Sequence, residues 1–282
     1  MEKLVIIGLG LVGGSLALDL KKRLGYQVFG IDHNPEHIKK ALELGVIDAE
    51  INLSDLKDAS VVVIAVPVDK IAKITATVLD EISENTLVFD VGSVKNEICK
   101  ALKNHPKRKN YVAAHPLAGT EFSGPEAAIY DLFDEKVNII CEVEKTDWKI
   151  LDKALGIFKK LNMRIKMMNP EEHDRHIAYV SHLSHVSSFM LGKTVLGIEK
   201  NEQYIFDMAS TGFASTVRLA KSSPATWAPI FLENKENIIS SLEEYIKNLV
   251  EFKELIAANN GDAIKEIMSD TNYIKSVLKG IK

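Results

Sequence analysis

The residues whose types and spacing best suit cofactor binding lie near the N-terminus. Six consecutive residues after a short apolar run match the pattern G-x-G-x-x-G: Gly8, Leu9, Gly10, Leu11, Val12 and Gly13. In such a strand–turn–helix unit the first glycine makes the turn, the second admits a pyrophosphate, and the third lets helix and strand pack closely. Unpaired amides at the helix start favour the phosphate charge. The spacing predicts a dinucleotide-binding turn.

An acidic residue ends the second apolar run, where it can reach the adenosine ribose. Asp32 lies about 20 residues beyond the glycines, a position at which an acid binds the ribose hydroxyls and repels a 2′-phosphate. No Arg or Lys follows it directly, since His33 and Asn34 come next. We therefore expect NAD rather than NADP as the cofactor.

Polar and turn-forming residues also follow the later apolar runs. Ligands in parallel sheets bind beyond the carboxyl ends of the strands, so Val66 and Pro67 are expected at the cofactor, and Ser93 at its nicotinamide end. An alternative for Ser93 is a helix N-cap. His115 ends the next run, where an imidazole with a pKa near 6.5 suits proton transfer at neutral pH.

The second half of the chain adds a histidine-rich helix. Four of the eight histidines lie between residues 173 and 185: His173, His176, His182 and His185. Ser181, His185 and Ser188 form a polar stripe at helical spacing, and such a stripe on a buried helix is either hydrogen-bonded to partners or lines a cavity. Metal binding by these histidines is disfavoured because no carboxylate or Cys completes a ligand set. The simpler alternative leaves His173 and His176 facing solvent and His182 hydrogen-bonded in the core.

Arg218 is the last arginine of the chain. Its planar guanidinium can donate two hydrogen bonds to one carboxylate, which makes Arg218 a candidate for substrate binding. A surface ion pair is the alternative.

Two patterns of apolar residues position these groups. Short runs rich in Val and Ile alternate with amphipathic stretches up to Met168, which predicts a doubly wound, Rossmann-type parallel sheet. Asn169 and Pro170 then signal a helix start, and only helical patterns follow. We expect an α/β domain over residues 1–168 and an all-helical domain over 169–282. Apolar residues spaced like a heptad between 227 and 256 favour one long helix that packs on a partner or within its own bundle.

Composition excludes several classes of protein. The chain has 282 residues with 46% hydrophobic and 26% charged residues, the range of ordinary globular proteins. Its net charge of −4 gives no reason to expect nucleic acid or an anionic membrane as partner. The two cysteines are far apart, and no apolar run is long enough to span a bilayer, so a cytoplasmic protein is expected.

Together these motifs resemble the prephenate dehydrogenase family. The resemblance rests on the glycine pattern and on four further blocks: Val91–Lys95, His115–Glu121, Ser181–His185 and Arg218–Pro224 followed by Trp227. It implies NAD-dependent oxidative decarboxylation of prephenate to 4-hydroxyphenylpyruvate, on the route to tyrosine, by a homodimer joined through its helical domain. It also makes tyrosine a potential competitive inhibitor.

The resemblance implies roles for individual residues. His115 would take the proton of the ring hydroxyl, with Ser93 orienting it, and Arg218 would bind the ring carboxylate. Thr120, Ser181 and His185 would line the substrate pocket.

The chain departs from the family pattern at two positions. Ser184 stands where many members have Pro, which predicts a helix without a proline kink, and Ser215 stands where many have Asp.

Three other functions stay open. Arogenate dehydrogenase uses the same chemistry on an aminated substrate, 3-hydroxyacid dehydrogenases share the two-domain plan, and a non-catalytic NAD-binding protein needs only the first domain.

Overall fold

An eight-stranded sheet forms the centre of the N-terminal part of the chain. A computed structural model describes residues 1–199 and 204–279. The strand order is β3-β2-β1-β4-β5-β6-β7-β8. The strands are β1 (Lys3–Ile7), β2 (Gln27–Ile31), β3 (Ala49–Glu50), β4 (Val61–Ile64), β5 (Leu87–Asp90), β6 (Tyr111–Pro116), β7 (Val137–Cys141) and β8 (Arg164–Met168).

Helices cover both faces of this sheet. Every residue of β4 and β5 is buried, as expected for strands packed on two sides. One face packs on α1 (Leu11–Leu24), α2 (Pro35–Glu43) and α5 (Trp148–Lys160), and the other on α3 (Val68–Glu81) and α4 (Asn96–Leu102). The predicted doubly wound arrangement is confirmed.

One strand runs against the expected direction. β7 pairs antiparallel with β6, whereas its run of apolar residues predicts a parallel strand. A parallel partner needs a crossover, usually a helix. Residues 117–136, which connect β6 to β7, contain only the short 3₁₀ turn Pro125–Ala127 and no crossover helix. β7 therefore starts at the edge of the sheet where β6 ends and runs in the opposite direction. β8 then pairs parallel with β7 through α5.

The described residues after β8 form helices and turns without a further strand. The helices are α6 (Pro170–Ile177), α7 (Leu183–Glu199), α8 (Thr211–Thr216), α9 (Pro224–Glu233), α10 (Lys235–Ala257), α11 (Gly261–Thr271) and α12 (Ile274–Leu278). The chain divides into two compact units, Met1–Lys235 and Glu236–Lys282. The C-terminal end of the predicted helical domain, residues 280–282, lies outside the described residues, as do residues 200–203.

Two interruptions break the helical pattern. A π-helical turn over Ala178–His182 separates α6 from α7, so the helix is distorted there although Ser184 replaces the proline. The single long helix expected over 227–256 is wrong, because α9 ends and α10 begins around Asn234. The side-chain amide of Asn234 donates from Nδ2 to the backbone carbonyl of Asp174 at 2.7 Å, which holds this side chain inside the structure.

Contacts between helices place the first helical segments beside the sheet. Within the first unit, α6 packs against α4 and α9 packs against α3. Residues from α6 and α9 therefore lie near the carboxyl edge of the strands. Throughout residues 1–199 and 204–279, no helix is long and apolar enough to cross a bilayer.

Candidate active site

The glycine turn between β1 and α1 has the shape needed to receive a pyrophosphate. Gly8 has φ of +96°, and a Cβ there would overlap the carbonyl of Ala65. A Cβ at Gly13 would overlap the carbonyl of Gly8. A Cβ at Gly10, in contrast, would meet no atom within 4 Å, so the backbone is open to an incoming group at that position. The turn thus fits a dinucleotide, whose phosphates would sit at Gly10 and the first turn of α1.

Asp32 is held beside this turn in a fixed orientation. The amide of Leu9 donates to its Oδ2 at 2.8 Å, and the amide of Asn34 donates to its Oδ1 at 2.9 Å. Nδ1 of His33 lies 3.3 Å and Nδ1 of His37 lies 3.4 Å from Oδ1. A carboxylate fixed at the end of β2 is suited to accept hydrogen bonds from ribose hydroxyls.

The turns after β4 and β5 lie at the same carboxyl edge. Val66 and Pro67 directly precede α3, for which Pro67 is the N-cap. Ser93 is half-buried in the turn after β5. The alternative reading of Ser93 as a helix N-cap is wrong, because α4 begins at Asn96 with Lys95 before it.

A buried hydrogen-bonded chain runs from His115 into α6. Nδ1 of His115 lies 2.8 Å from Nε2 of His173, and Nδ1 of His173 lies 2.7 Å from Oδ1 of Asp174. The amides of Lys95 and Asn96 donate to the two oxygens of Asp174 at 2.8 and 2.9 Å. The alternative that left His173 facing solvent is wrong, since its side chain is fully buried.

A second buried network fixes the strand that carries His115. Lys95 donates from Nζ to Asp90 and, at 2.7 Å, to the carbonyl of Ala114. The hydroxyl of Tyr111 donates to Oδ1 of Asp90 at 2.6 Å. Burial, followed by the charge of Asp90, raises the pKa of Tyr111 well above its ordinary value. The ends of β5 and β6 are therefore tied together directly before His115.

The electrostatic setting keeps His115 neutral. Burial lowers the pKa of His115 well below the ordinary 6.5, and His173 and the charge of Lys95 lower it further. A neutral imidazole at this edge can accept a proton, as a general base must.

Arg218 lies against the loop that follows His115. Its Nη1 is 3.6 Å from Oε2 of Glu121, and more than half of its side chain is exposed. This exposed and loose ion pair contributes little to stability, and a substrate carboxylate can compete for the guanidinium. Thr120, next to Glu121, is exposed on the same loop.

An aromatic and histidine cluster continues the site along α7 and α9. Nδ1 of His185 donates to the carbonyl of Ser181 at 3.0 Å, and its ring stacks on Trp227 with centroids 3.3 Å apart. Burial lowers the pKa of His185, and the charge of Arg218 lowers it further. His182 is buried beside the same Trp227, and burial lowers its pKa to about 4. The predicted core position of His182 is confirmed.

Sequence reasoning missed several residues of the site. The positioning contacts of His173, Asp174 and Lys95 carried no local signal, because their partners are far away in sequence. Glu121 and Trp227 lie in the quoted family blocks but were assigned no role. Among the described residues, no group of three or more His, Cys, Asp or Glu side chains is arranged to hold a metal ion.

Comparison with known proteins decides the family. Residues 16–167 match the family model described as prephenate dehydrogenase, nucleotide-binding domain. Residues 169–270 match the model described as prephenate dehydrogenase, dimerization domain. The chain belongs to the prephenate dehydrogenase family.

Relatives of this prephenate dehydrogenase family chain cover nearly its whole length. It is 33% identical to prephenate dehydrogenase of Bacillus subtilis (strain 168), over 93% of this chain and 72% of the relative. It is 29% identical to cyclohexadienyl dehydrogenase of Zymomonas mobilis, over 99% and 96% of the two chains.

Solved structures of a prephenate dehydrogenase and an arogenate dehydrogenase share the fold. The structure of prephenate dehydrogenase from A. aeolicus in complex with hydroxyphenyl propionate and NAD⁺ matches with a TM-score of 0.90 and 33% identity, over 99% of each chain. Synechocystis arogenate dehydrogenase matches with a TM-score of 0.78 and 27% identity, over 97% of this chain and 99% of that one. The resemblance predicted from sequence is therefore confirmed.

Proposed function

We propose that this protein is an NAD-dependent prephenate dehydrogenase that converts prephenate to 4-hydroxyphenylpyruvate. The observation that carries the proposal is His115, a buried neutral imidazole at the carboxyl edge of the sheet that also bears the dinucleotide turn. The family membership and the 33% identical relative named prephenate dehydrogenase support it.

His115 acts as general base on the ring hydroxyl. Its Nε2 takes the hydroxyl proton. NAD, which Asp32 and the turn Gly8–Gly13 would hold, would supply the acceptor for the hydride on the ring carbon that bears this hydroxyl. The bond between the ring and its carboxylate then breaks, carbon dioxide leaves, and the bonding electrons pass through the ring to the oxygen. That oxygen regains the proton from His115, and the product is a phenol. Aromatisation favours this last step, so the protein mainly has to align the reacting groups.

The other predicted site residues take up the cofactor and the substrate. Asp32 holds the ribose, and the turn Gly8–Gly13 holds the pyrophosphate. The rest of the cofactor is faced by Val66, Pro67 and Ser93. Of these, Ser93 lies beside the reacting hydroxyl. Arg218 binds the ring carboxylate in exchange for Glu121. Thr120, Ser181 and His185 line the substrate pocket, and the stacked indole of Trp227 supports the ring of His185.

The functional division of the chain falls at residue 168. A nucleotide-binding domain over 1–168 and a substrate-binding and dimerisation domain over 169–282 agree with the spans of the two family models. The description of the second model as a dimerization domain supports a homodimer formed through the helical domain. Tyrosine, which has the ring and a carboxylate of the product, is expected to compete with prephenate.

Arogenate is the second candidate substrate. The relative from Zymomonas mobilis is named cyclohexadienyl dehydrogenase and the Synechocystis neighbour arogenate dehydrogenase, so members of this fold differ in the substrate named for them. The two substrates differ only in the side chain remote from the reacting carbon. The chemistry at His115 is the same for both.

Initial rates of NADH formation with three substrates test the proposal. We expect prephenate to give NADH and carbon dioxide in equal amounts, with NAD preferred over NADP. Faster turnover of arogenate would make it the substrate, and oxidation of a simple 3-hydroxyacid alone would refute the proposal. Rates measured with added tyrosine test competition, which raises the KM for prephenate and leaves kcat unchanged.

A further inference from the structure

His173 and Asp174 lie behind the proposed base without being placed to touch the substrate. We propose that they are positioning residues, which hold His115 in the one tautomer able to accept the substrate proton. The inference rests on the proposed role of His115. It assigns a purpose to two buried polar side chains that the reaction itself does not use.

The hydrogen-bond chain can be read from its charged end. Oδ1 of Asp174 accepts from the amide of Lys95, and Oδ2 accepts from the amide of Asn96. Both oxygens act as acceptors, as those of an ionised carboxylate do. Nδ1 of His173, 2.7 Å from Oδ1, must therefore carry the hydrogen.

This assignment fixes the rest of the chain. A neutral His173 with its hydrogen on Nδ1 has a lone pair on Nε2. That lone pair faces Nδ1 of His115 at 2.8 Å, so Nδ1 of His115 must be the donor. The remaining nitrogen of His115, Nε2, then carries the lone pair. This is the form that can take a proton from a hydroxyl.

The positions of the hydrogens in this hydrogen-bonded chain are fixed because the chain is buried. His173 and Asp174 are almost completely excluded from solvent, so water cannot supply a replacement donor or acceptor. Asp174 also joins the start of α4 to α6, and its carbonyl accepts from Asn234. The carboxylate is thus fixed from several sides, which fixes the orientation of the His173 ring.

A purely structural role makes a different prediction from a positioning role. If the chain only joins α6 to α4 and β6, its loss lowers stability but changes neither the tautomer of His115 nor kcat in the folded protein. If it positions His115, its loss changes the tautomer and lowers kcat, while the KM for prephenate and for NAD changes little.

Three variants separate these outcomes. His173→Leu removes both hydrogen bonds. His173→Gln retains them, because a glutamine can present an N–H to Asp174 and its carbonyl oxygen to Nδ1 of His115. His176→Leu is the matched control, since His176 lies one helical turn away and is half exposed. We expect kcat to fall about 10²-fold in His173→Leu, to recover to within about 10-fold of the parent in His173→Gln, and to stay unchanged in the control.

The tautomer itself can be measured by NMR. Two-bond ¹H–¹⁵N spectra of the full-length protein labelled with [¹⁵N]histidine distinguish the two neutral forms, and His115→Asn identifies the signals of His115. Above the ordinary histidine pKa of about 6.5 we expect the hydrogen of His115 on Nδ1 in the parent and in His173→Gln. His173→Leu should show it on Nε2 or shared between the two nitrogens.

A further variant, Asp174→Asn, tests the same hydrogen bonds if His173→Leu does not fold. Asp174→Asn can present an N–H to His173 in place of the oxygen that accepts from the amide of Lys95. This reverses the hydrogen bonds between residue 174 and His173 and between His173 and His115, and it moves the hydrogen of His115 to Nε2. An unchanged tautomer in His173→Leu or in Asp174→Asn, whichever of them folds, or an equal loss of kcat in His173→Gln and His173→Leu, would overturn the inference. Because the spectra need no substrate, a protein that fails to oxidise prephenate yet shows these tautomers would refute the proposed function and not the hydrogen-bond chain.

Discussion

At the scale of single residues, the structure gives His115 and Arg218 opposite surroundings. His115 is buried, and this burial, together with His173 and the charge of Lys95, disfavours its charged form. Arg218 is more than half exposed, and its carboxylate partner among the described residues is Glu121. The neutral imidazole of His115 can take a proton from the substrate. The guanidinium of Arg218 can exchange Glu121 for a carboxylate of the anionic substrate.

The pKa of His115 predicts the acid side of the pH profile. A base works only when unprotonated, so a pKa below 6.5 moves the loss of activity in acid to a lower pH than an ordinary histidine gives. We expect kcat/KM for prephenate, which reports the protein before the substrate binds, to stay constant from neutral pH down through 6.5 and to fall only below it. A midpoint at or above 6.5 in initial-rate measurements would contradict this reading of the site.

Arg218 is expected to act mainly in substrate binding. In Arg218→Ala the ring carboxylate loses its charged partner, so the KM for prephenate should rise about 10-fold or more, while the Kd for NAD stays the same. Arg218→Lys should recover part of the loss, because it restores the charge but not the planar fork. Steady-state kinetics check this, and an unchanged KM in Arg218→Ala would remove Arg218 from the substrate site.

At the scale of elements, the site is built where β1, β2, β4, β5 and β6 end. The turn after β1 is the most constrained of these, because Gly8 and Gly13 approach neighbouring backbone while Gly10 faces open space. The fold therefore requires glycine at positions 8 and 13, whereas cofactor binding requires it at position 10.

These glycines give a paired test. Gly8→Ala puts a Cβ into the carbonyl of Ala65 at a positive φ, so its Tm should fall by several degrees. Gly10→Ala should leave Tm unchanged but raise the Kd for NAD, since its Cβ fills the space a pyrophosphate needs. Thermal unfolding and NAD titration measure both. A Gly10→Ala variant that binds NAD normally would show that the pyrophosphate does not approach there.

Sequence alone could predict the elements better than their directions and contacts. The Val- and Ile-rich runs identified the buried strands, but such a run contains no information on direction, so the reversal of β7 was missed. β3 has only two residues, too few to form a pattern. His173 was one candidate for a solvent-facing position because the first turn of α6 is polar, and only the packing of α6 on α4 buries it.

At the scale of the whole molecule, the second unit exposes much apolar surface. Along α10 the exposed side chains include Ile239, Ile246, Leu249 and Ile256, and α11 and α12 add others. Exposed apolar side chains at helical spacing are typical of a surface that is covered by another protein. The match of residues 169–270 to a dimerization domain agrees with this.

The proposed dimer can be tested on α10. The double variant Ile246→Glu, Leu249→Glu places two charges on the apolar surface and should give monomers in sedimentation velocity. Lys247→Glu, an exposed position between them, is the control and should remain dimeric. A double variant that sediments as the parent does would place the dimer interface elsewhere.

The most direct test of the central claim is the turnover of His115→Asn. Asparagine is polar and of similar size but cannot accept the substrate proton, so kcat with prephenate should fall about 10²–10⁴-fold. The Kd for NAD, measured by titration, should stay within about 2-fold of the parent, because the dinucleotide turn is untouched. A variant that folds, binds NAD and oxidises prephenate at the parental rate would contradict the assignment of His115 as the base.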